Sequence, residues 1–173
     1  MAATTPETPT RPIHRIAKEQ LASSGFLLAR LGFAFKAKAI AAFEEAGFEL
    51  YDYSVLALLA EGVRETQSTI ADSLTVDPSR LVALLDSLEK RGLIVRQRDA
   101  QDRRRHVVSI TQEGRRELMT LRGMIKRLEE QFFAPFDAES RKSFHALLLR
   151  LASENDPRCA FSAAKPPAPE PHK

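Results

Sequence analysis

The stretch Thr66-Gln67-Ser68-Thr69-Ile70-Ala71-Asp72-Ser73-Leu74-Thr75-Val76-Asp77-Pro78-Ser79-Arg80-Leu81 carries two helix starts in close succession. Thr66 is a good N-cap for a short helix over Gln67–Leu74, because its hydroxyl can accept from an otherwise unpaired backbone N–H of the first turn. After Thr75 and Val76, Asp77 caps a second helix, and Pro78 opens it at the position where a missing N–H costs nothing. That helix runs to about Arg91 and stops at Gly92. Leu81, Leu84, Leu85 and Leu88 form its inner stripe. Two short helices joined by so brief a turn read as a helix-turn-helix.

Downstream the period changes. Leu93-Ile94-Val95-Arg96 and Val107-Val108-Ser109-Ile110 are short and β-branched, and a polar turn, Asp99-Ala100-Gln101-Asp102, lies between them. This predicts a two-stranded hairpin, a wing beside the helix pair. Thr111 caps a long helix reaching about Phe133. Its Leu118, Leu121, Ile125, Leu128 and Phe132 repeat at three and four residues, a heptad seam suited to a partner helix. Pro135 breaks it, and Asp137 caps a last helix carrying Phe144, Leu147, Leu148 and Leu151.

Upstream, Leu50 to Glu61 predicts a helix with Tyr53, Leu56, Leu59 and Ala60 facing inward and Gly62 closing it. Before it, Arg15 to Ala46 reads as one long helix ended by Gly47 and Phe48. Leu27, Leu28, Leu31, Phe33, Phe35, Ile40 and Phe43 nearly encircle that helix. Such a surface must be covered on most sides, which in so small a domain calls for a second subunit.

The fold class is therefore mainly α with a small β-hairpin wing (α+β), a winged helix-turn-helix with N- and C-terminal dimerisation helices. Residues 13–153 form a single winged-helix domain, with dimerisation helices at about 13–46 and 112–153 and a DNA-binding lobe at about 50–111. Eight of the ten prolines lie outside it, so residues 1–12 and the Pro-rich 154–173 are expected to be disordered tails.

Composition narrows the function. The 173 residues are 43% hydrophobic and 28% charged, ordinary for a soluble globular protein. The first dozen residues lack the basic-then-apolar pattern of a secretory signal, and no apolar run approaches the roughly 18 residues of a membrane span. A cytoplasmic protein with no membrane partner is expected. One cysteine, Cys159, excludes an internal disulfide; it lies past the last helix, where it should be exposed and mobile. His14, His106, His145 and His172 are scattered, with no metal-ligand spacing. No nucleophile–base constellation appears, so neither an enzyme nor a cofactor is expected.

Net charge is only +3, so any affinity for nucleic acid rests on where charge sits. From Lys90 to Arg105 seven basic residues (Lys90, Arg91, Arg96, Arg98, Arg103, Arg104, Arg105) meet only Asp99 and Asp102 within the segment. An isolated basic triplet is most often a solvated charge run. Directly after a helix-turn-helix it points to minor-groove or phosphate contact. On the second helix the polar face begins with Ser79 and Arg80 and continues with Ala83 and Ser87. Small and polar residues there permit close approach to a major groove, and an arginine can bond guanine or a phosphate.

These motifs together resemble the MarR family of winged-helix regulators: Thr66 to Leu74, Val76 to Val82, Leu88-Glu89-Lys90-Arg91-Gly92-Leu93-Ile94, and the wing from Asp99 to Arg105 leading into Ser109-Ile110-Thr111-Gln112-Glu113-Gly114. The likeness is strong over about Leu50 to Gly114. The family's wing pattern of Asp, one residue, then Arg falls on Asp102 and Arg104. The resemblance implies that Arg104 enters the minor groove, oriented by Asp102, with Arg103 and Arg105 on phosphates. It places Ser79 and Arg80 against bases and backbone, and Gln67 and Ser68 near phosphates. Thr75 stands where Gly or Asn is common in the turn, and Glu49 where the preceding helix usually has Ser or Thr.

The resemblance also implies a homodimer held by its first and last helices, acting on double-stranded DNA at a palindromic operator: a transcriptional regulator, expected to be a repressor. It implies a small aromatic or anionic effector, for which Phe33, Tyr51 and Tyr53, with Arg30 or Lys36, are the candidate residues. For these aromatics the plainer reading is core packing. The alternatives are a winged-helix adaptor meeting an acidic protein, or a ligand-sequestering protein without specific DNA binding.

Overall fold

The computed structural model describes residues 15–63, 65–98 and 106–161. In chain order the elements are α1 (Lys18–Leu21), α2 (Ser24–Glu45), α3 (Leu50–Ala60), β1 (Glu65–Thr66), α4 (Gln67–Leu74), α5 (Pro78–Lys90), β2 (Ile94–Arg98), β3 (His106–Ile110), α6 (Gln112–Phe132), α7 (Ala138–Asn155) and α8 (Pro157–Phe161). The chain divides into two compact units, Met1–Ala37 and Lys38–Lys173.

In the first unit the long helix expected from Arg15 is broken. A single turn, α1, ends at Leu21, and α2 restarts after Ser23, whose Oγ accepts from the Phe26 amide at 3.3 Å. A serine before an apolar run offers the backbone a cap, and here the cap interrupts the helix. Leu21, Leu27, Leu28, Leu31 and Phe33 are exposed, Phe33 by 76%.

The second unit contains the core. Phe43, Val55, Leu56, Ile70, Leu81, Leu85, Leu88, Ile94, Val108, Leu118 and Leu121 are almost wholly buried. The inward stripe of α5 is the one the spacing predicts, Leu81, Leu84, Leu85 and Leu88. Phe48 folds back over the end of α2, its amide donating to the Phe43 carbonyl at 2.9 Å.

Three strands form the sheet, in the order β1-β3-β2, all antiparallel. This corrects the two-stranded expectation: Glu65 and Thr66 pair with Val108 and Val107 and add a short edge strand. The β2–β3 register runs from Ile94↔Ile110 to Arg98↔His106. The polar turn predicted at Asp99–Asp102 lies outside the described residues.

The α6 seam also needs correction. Leu118 and Leu121 are buried in this chain's own core, and Ile125 packs partly against it. The first half of the heptad pattern therefore serves the fold, where α6 packs on α3. At the other end of α6, Phe133, Phe136 and Phe144 cluster with ring centroids 5.5–6.3 Å apart. No residue of α7 is buried, and Leu147 and Leu151 stand 64% and 51% exposed. Helical structure continues past Ser153, through Asn155 in α7 and Pro157–Phe161 in α8, beyond the predicted domain edge. Cys159 is accordingly half-buried on α8 instead of lying in an extended tail.

Candidate nucleic-acid interface

Local chemistry sets the helix-turn-helix. Thr66 caps α4, its Oγ1 accepting from the Thr69 amide at 3.3 Å. Asp77 caps α5, accepting from the Ser79 amide at 2.9 Å, and the Ser79 hydroxyl donates to the same carboxylate oxygen. These bonds, led by the Ser79 side chain, hold the Asp77 carboxyl below its ordinary range. Between the helices Thr75 takes the left-handed conformation, φ 52° and ψ 47°. That backbone explains why Gly or Asn is common at this turn.

The end of α5 is fixed as firmly. Gly92, at φ +72°, lets the chain reverse, and the Gly92 and Leu93 amides donate to the Glu89 and Leu88 carbonyls at 2.9 and 3.0 Å. Thr111 then ties this turn to α6: its hydroxyl bonds the Gly92 and Leu93 carbonyls at 2.7 and 3.1 Å, and its Oγ1 accepts from the Gly114 amide at 3.0 Å. Gly114 is buried so closely against the Leu93 carbonyl that no side chain fits there.

On the polar face of α5, Ser79, Arg80, Ala83 and Ser87 are all exposed, as expected, and Ser68 is exposed on α4 with Gln67 half-buried. The Arg80 guanidinium lies over the Tyr51 ring, 4.9 Å from its centroid, and 3.9 Å from the Glu49 carboxylate. Asp102, Arg103, Arg104 and Arg105 lie outside the described residues.

The charge of the wing is distributed differently from its linear count. Arg96 on β2 binds Glu89 through its Nε at 2.9 Å and its Nη2 at 2.5 Å, and Nη2 also meets Asp86 at 2.6 Å. The Arg96 amide donates to Glu89 Oε1 at 3.0 Å as well. Arg91 stacks on Phe48, 4.0 Å from the ring centroid, and reaches the buried Asp52 carboxylate at 3.5 Å. Two of the seven basic residues thus face acidic groups from outside the segment, which a count along the chain does not see. The excess that remains sits on Lys90 and Arg98 and, in the sequence, on Arg103, Arg104 and Arg105.

The candidate effector residues divide between the units. Arg30, Phe33 and Lys36 are exposed on the first part of α2, where Arg30 lies 5.9 Å from the Phe26 ring centroid. Tyr51 and Tyr53 are half-buried on α3 in the second unit; Tyr53 stacks on the core residue Phe43 at 5.7 Å, and Tyr51 underlies Arg80. A cleft of about 430 Å³ between α6 and α7 is lined by other residues, among them Lys126, Phe133, Arg141, Phe144 and His145. Among the described residues no helix is long and apolar enough to cross a membrane, and no His, Cys, Asp or Glu group is arranged to hold a metal.

Comparison with known proteins agrees with this architecture. The profile of the MarR family matches residues 49–106. A Thauera aromatica protein named as a transcriptional regulatory protein for the hcr operon is 30% identical over 135 residues, covering 73% of this chain and 81% of that protein. The solved structure of CouR from Rhodococcus jostii RHA1 bound to p-coumaroyl-CoA is 28% identical, with a TM-score of 0.64 and coverage of 79% of this chain and 96% of that one. CouR described as a transcriptional repressor bound to a 23-mer DNA duplex is 27% identical, with a TM-score of 0.70 and coverage of 81% and 99%. Capped helix pair, antiparallel wing, flanking helices and sequence likeness all coincide: the chain belongs to the MarR family of winged helix-turn-helix transcriptional regulators, which are DNA-binding proteins and not enzymes.

Proposed function

We propose that this protein is a sequence-specific repressor that binds a palindromic operator as a homodimer in the cytoplasm, and that a small aromatic or anionic effector releases it. The observation carrying this reading is the exposed Ser79–Arg80 start of α5, set in one lobe with the β2–β3 ribbon. A helix N-terminus with small and polar residues suits the major groove, and an arginine-rich ribbon suits the adjacent minor groove or its phosphates. Arg104 would enter the groove, oriented by Asp102, with Arg103, Arg105, Gln67 and Ser68 on the backbone. The relative solved on a DNA duplex supports the mode, and its p-coumaroyl-CoA complex supports an aromatic, anionic effector class. The exposed apolar side chains of α2, and separately of α7, are the kind of surface a second copy covers. The candidates for effector contact are Tyr51 and Tyr53 on α3 and, separately, Arg30, Phe33 and Lys36 on α2.

Selection of genomic fragments with purified protein tests the reading. It should recover a palindrome with half-sites roughly one helical turn apart, bound with an affinity that falls steeply as salt rises. Arg104→Ala should weaken that binding while leaving the dimer folded. Recovery of random fragments would favour an adaptor that meets acidic protein; ligand binding that never displaces DNA would favour a sequestering role.

A further inference from the structure

The geometry points to Arg96 as a positioning residue for DNA reading: with Asp86 and Glu89 it locks the wing strand β2 to the recognition helix α5 at one fixed offset. The inference rests on the DNA-binding reading above and adds a role that the basic character of the wing conceals. Arg96 would ordinarily be counted as a phosphate contact. Its side chain is instead only 20% exposed, and its guanidinium is engaged by Glu89 (2.5 and 2.9 Å) and by Asp86 (2.6 Å). Both acids stand one turn apart on the same face of α5, so they grip a planar fork from one direction. The Glu89 carboxylate also accepts from the Arg96 amide at 3.0 Å, so side chain and backbone of β2 are held together.

A single surface ion pair would say little, since its two long side chains are easily replaced by water. Here one guanidinium makes three charge-assisted contacts, and a fourth bond fixes the strand itself. At its start β2 is already anchored through Leu93 to the end of α5. The clamp adds a second anchor, at Arg96, and two anchors prevent the ribbon from pivoting about the Gly92 turn. A duplex demands that arrangement: the major-groove helix and the flanking ribbon must meet it at matched positions, and an ångström-scale misplacement in such a reader costs contacts on one side. The acids carry a further consequence. Two carboxylates on a DNA-facing helix would repel phosphates, so their presence is explained by the partner they hold.

Removing the acids separates the clamp from simple charge. Asp86→Ala with Glu89→Ala makes the protein two charges more positive yet frees the ribbon. If charge alone matters, this variant binds DNA more tightly at every sequence. If the clamp positions the wing, operator affinity falls about tenfold, non-specific affinity holds or rises, and hydroxyl-radical protection is lost at the flanking minor groove while methylation protection in the major groove persists. Arg96→Lys, which keeps the charge and loses the fork, should show the same one-sided loss to a smaller degree. Circular dichroism and the melting temperature establish that each variant is folded. An operator bound as tightly, with the parent's footprint on both sides, would overturn the inference. Absence of any flanking footprint in the parent protein would instead overturn the DNA-binding reading on which it stands.

Discussion

The Arg80 guanidinium rests on the Tyr51 ring, 4.9 Å from its centroid, so the start of α5 leans on the start of α3. The Glu49 carboxylate lies 3.9 Å from the same guanidinium. A stacked arginine loses less rotamer freedom on meeting a base than a free one does, because part of its ordering is already done. Tyr51→Phe should keep the stack and leave operator binding unchanged. If Arg80 meets a base as proposed, Tyr51→Ala should weaken binding about threefold and broaden the preference at that one base pair. Competition binding against a set of single-base operator variants decides this; an alanine variant with the parent's preferences would remove the ring from the account. An aromatic effector occupying the Tyr51 face would act on Arg80 in the same way.

Gly114 leaves no room for a methyl group. A Cβ there would overlap the Leu93 carbonyl oxygen and stand 2.9 Å from Ile110 Cγ1. Backbone cannot retreat as a side chain can, so Gly114→Ala should cost about 3 kcal/mol. Urea unfolding followed by circular dichroism measures it, and a cost under about 1 kcal/mol would mean the junction of β2 and α6 is looser than it looks.

Asp52 gives a pH signature. The residue is 3% exposed, and burial pushes its carboxyl above the ordinary range, opposed by the Glu49 amide bond at 2.9 Å and the Arg91 charge. The folded state therefore keeps this proton to higher pH than the unfolded chain does. Below the ordinary value of about 3.9 the group costs nothing; as pH climbs from there through the raised value, the cost of a buried anion develops and stability falls. Asp52→Asn cannot ionise. The variant should gain on the parent as pH rises through that window, and melting temperatures across pH 3–7 would show it. A gap that moves the opposite way would mean that Arg91 outweighs burial.

Thr75 bears a β-branched side chain at φ 52°, a conformation such residues avoid. Its hydroxyl meets Arg158 Nη1, whose guanidinium is held by Asp156 at 2.8 and 2.6 Å. Thr75→Gly relieves the backbone and gives up one solvent-exposed bond. The balance should favour glycine by about 0.5 kcal/mol. Equal or lower stability in urea would show that the Arg158 contact matters more than the turn.

These cases also mark what a linear reading can and cannot reach. Thr66, Asp77, Thr111 and Asp137 all cap where the sequence places them, because a cap and the amide it serves lie within three residues of each other. The inner stripe of α5 was equally legible, since it depends on period alone. Strand β1 was not: two residues carry no alternation, and their partners stand some forty positions away. The clamp on Arg96 escaped for a related reason, as its acids belong to a different element. The α6 seam shows the converse fault. Leu118 and Leu121 have the spacing of a partner-facing stripe, yet spacing does not say whose core is being filled.

Thr66 occupies two posts at once. It is the rung opposite Val107 in the ladder and the residue whose side-chain oxygen receives the Thr69 amide in the first turn of α4. Tilting the ribbon therefore drags on the mouth of that helix, while Arg96 and Thr111 bind the same ribbon to the next helix and to α6. Among the described residues, the ribbon is thus tied to α4, to α5 and to α6 at once. In the proposed dimer, an operator whose half-sites are shifted by a single base pair would then have to be met by a change elsewhere in the assembly, or else go unread.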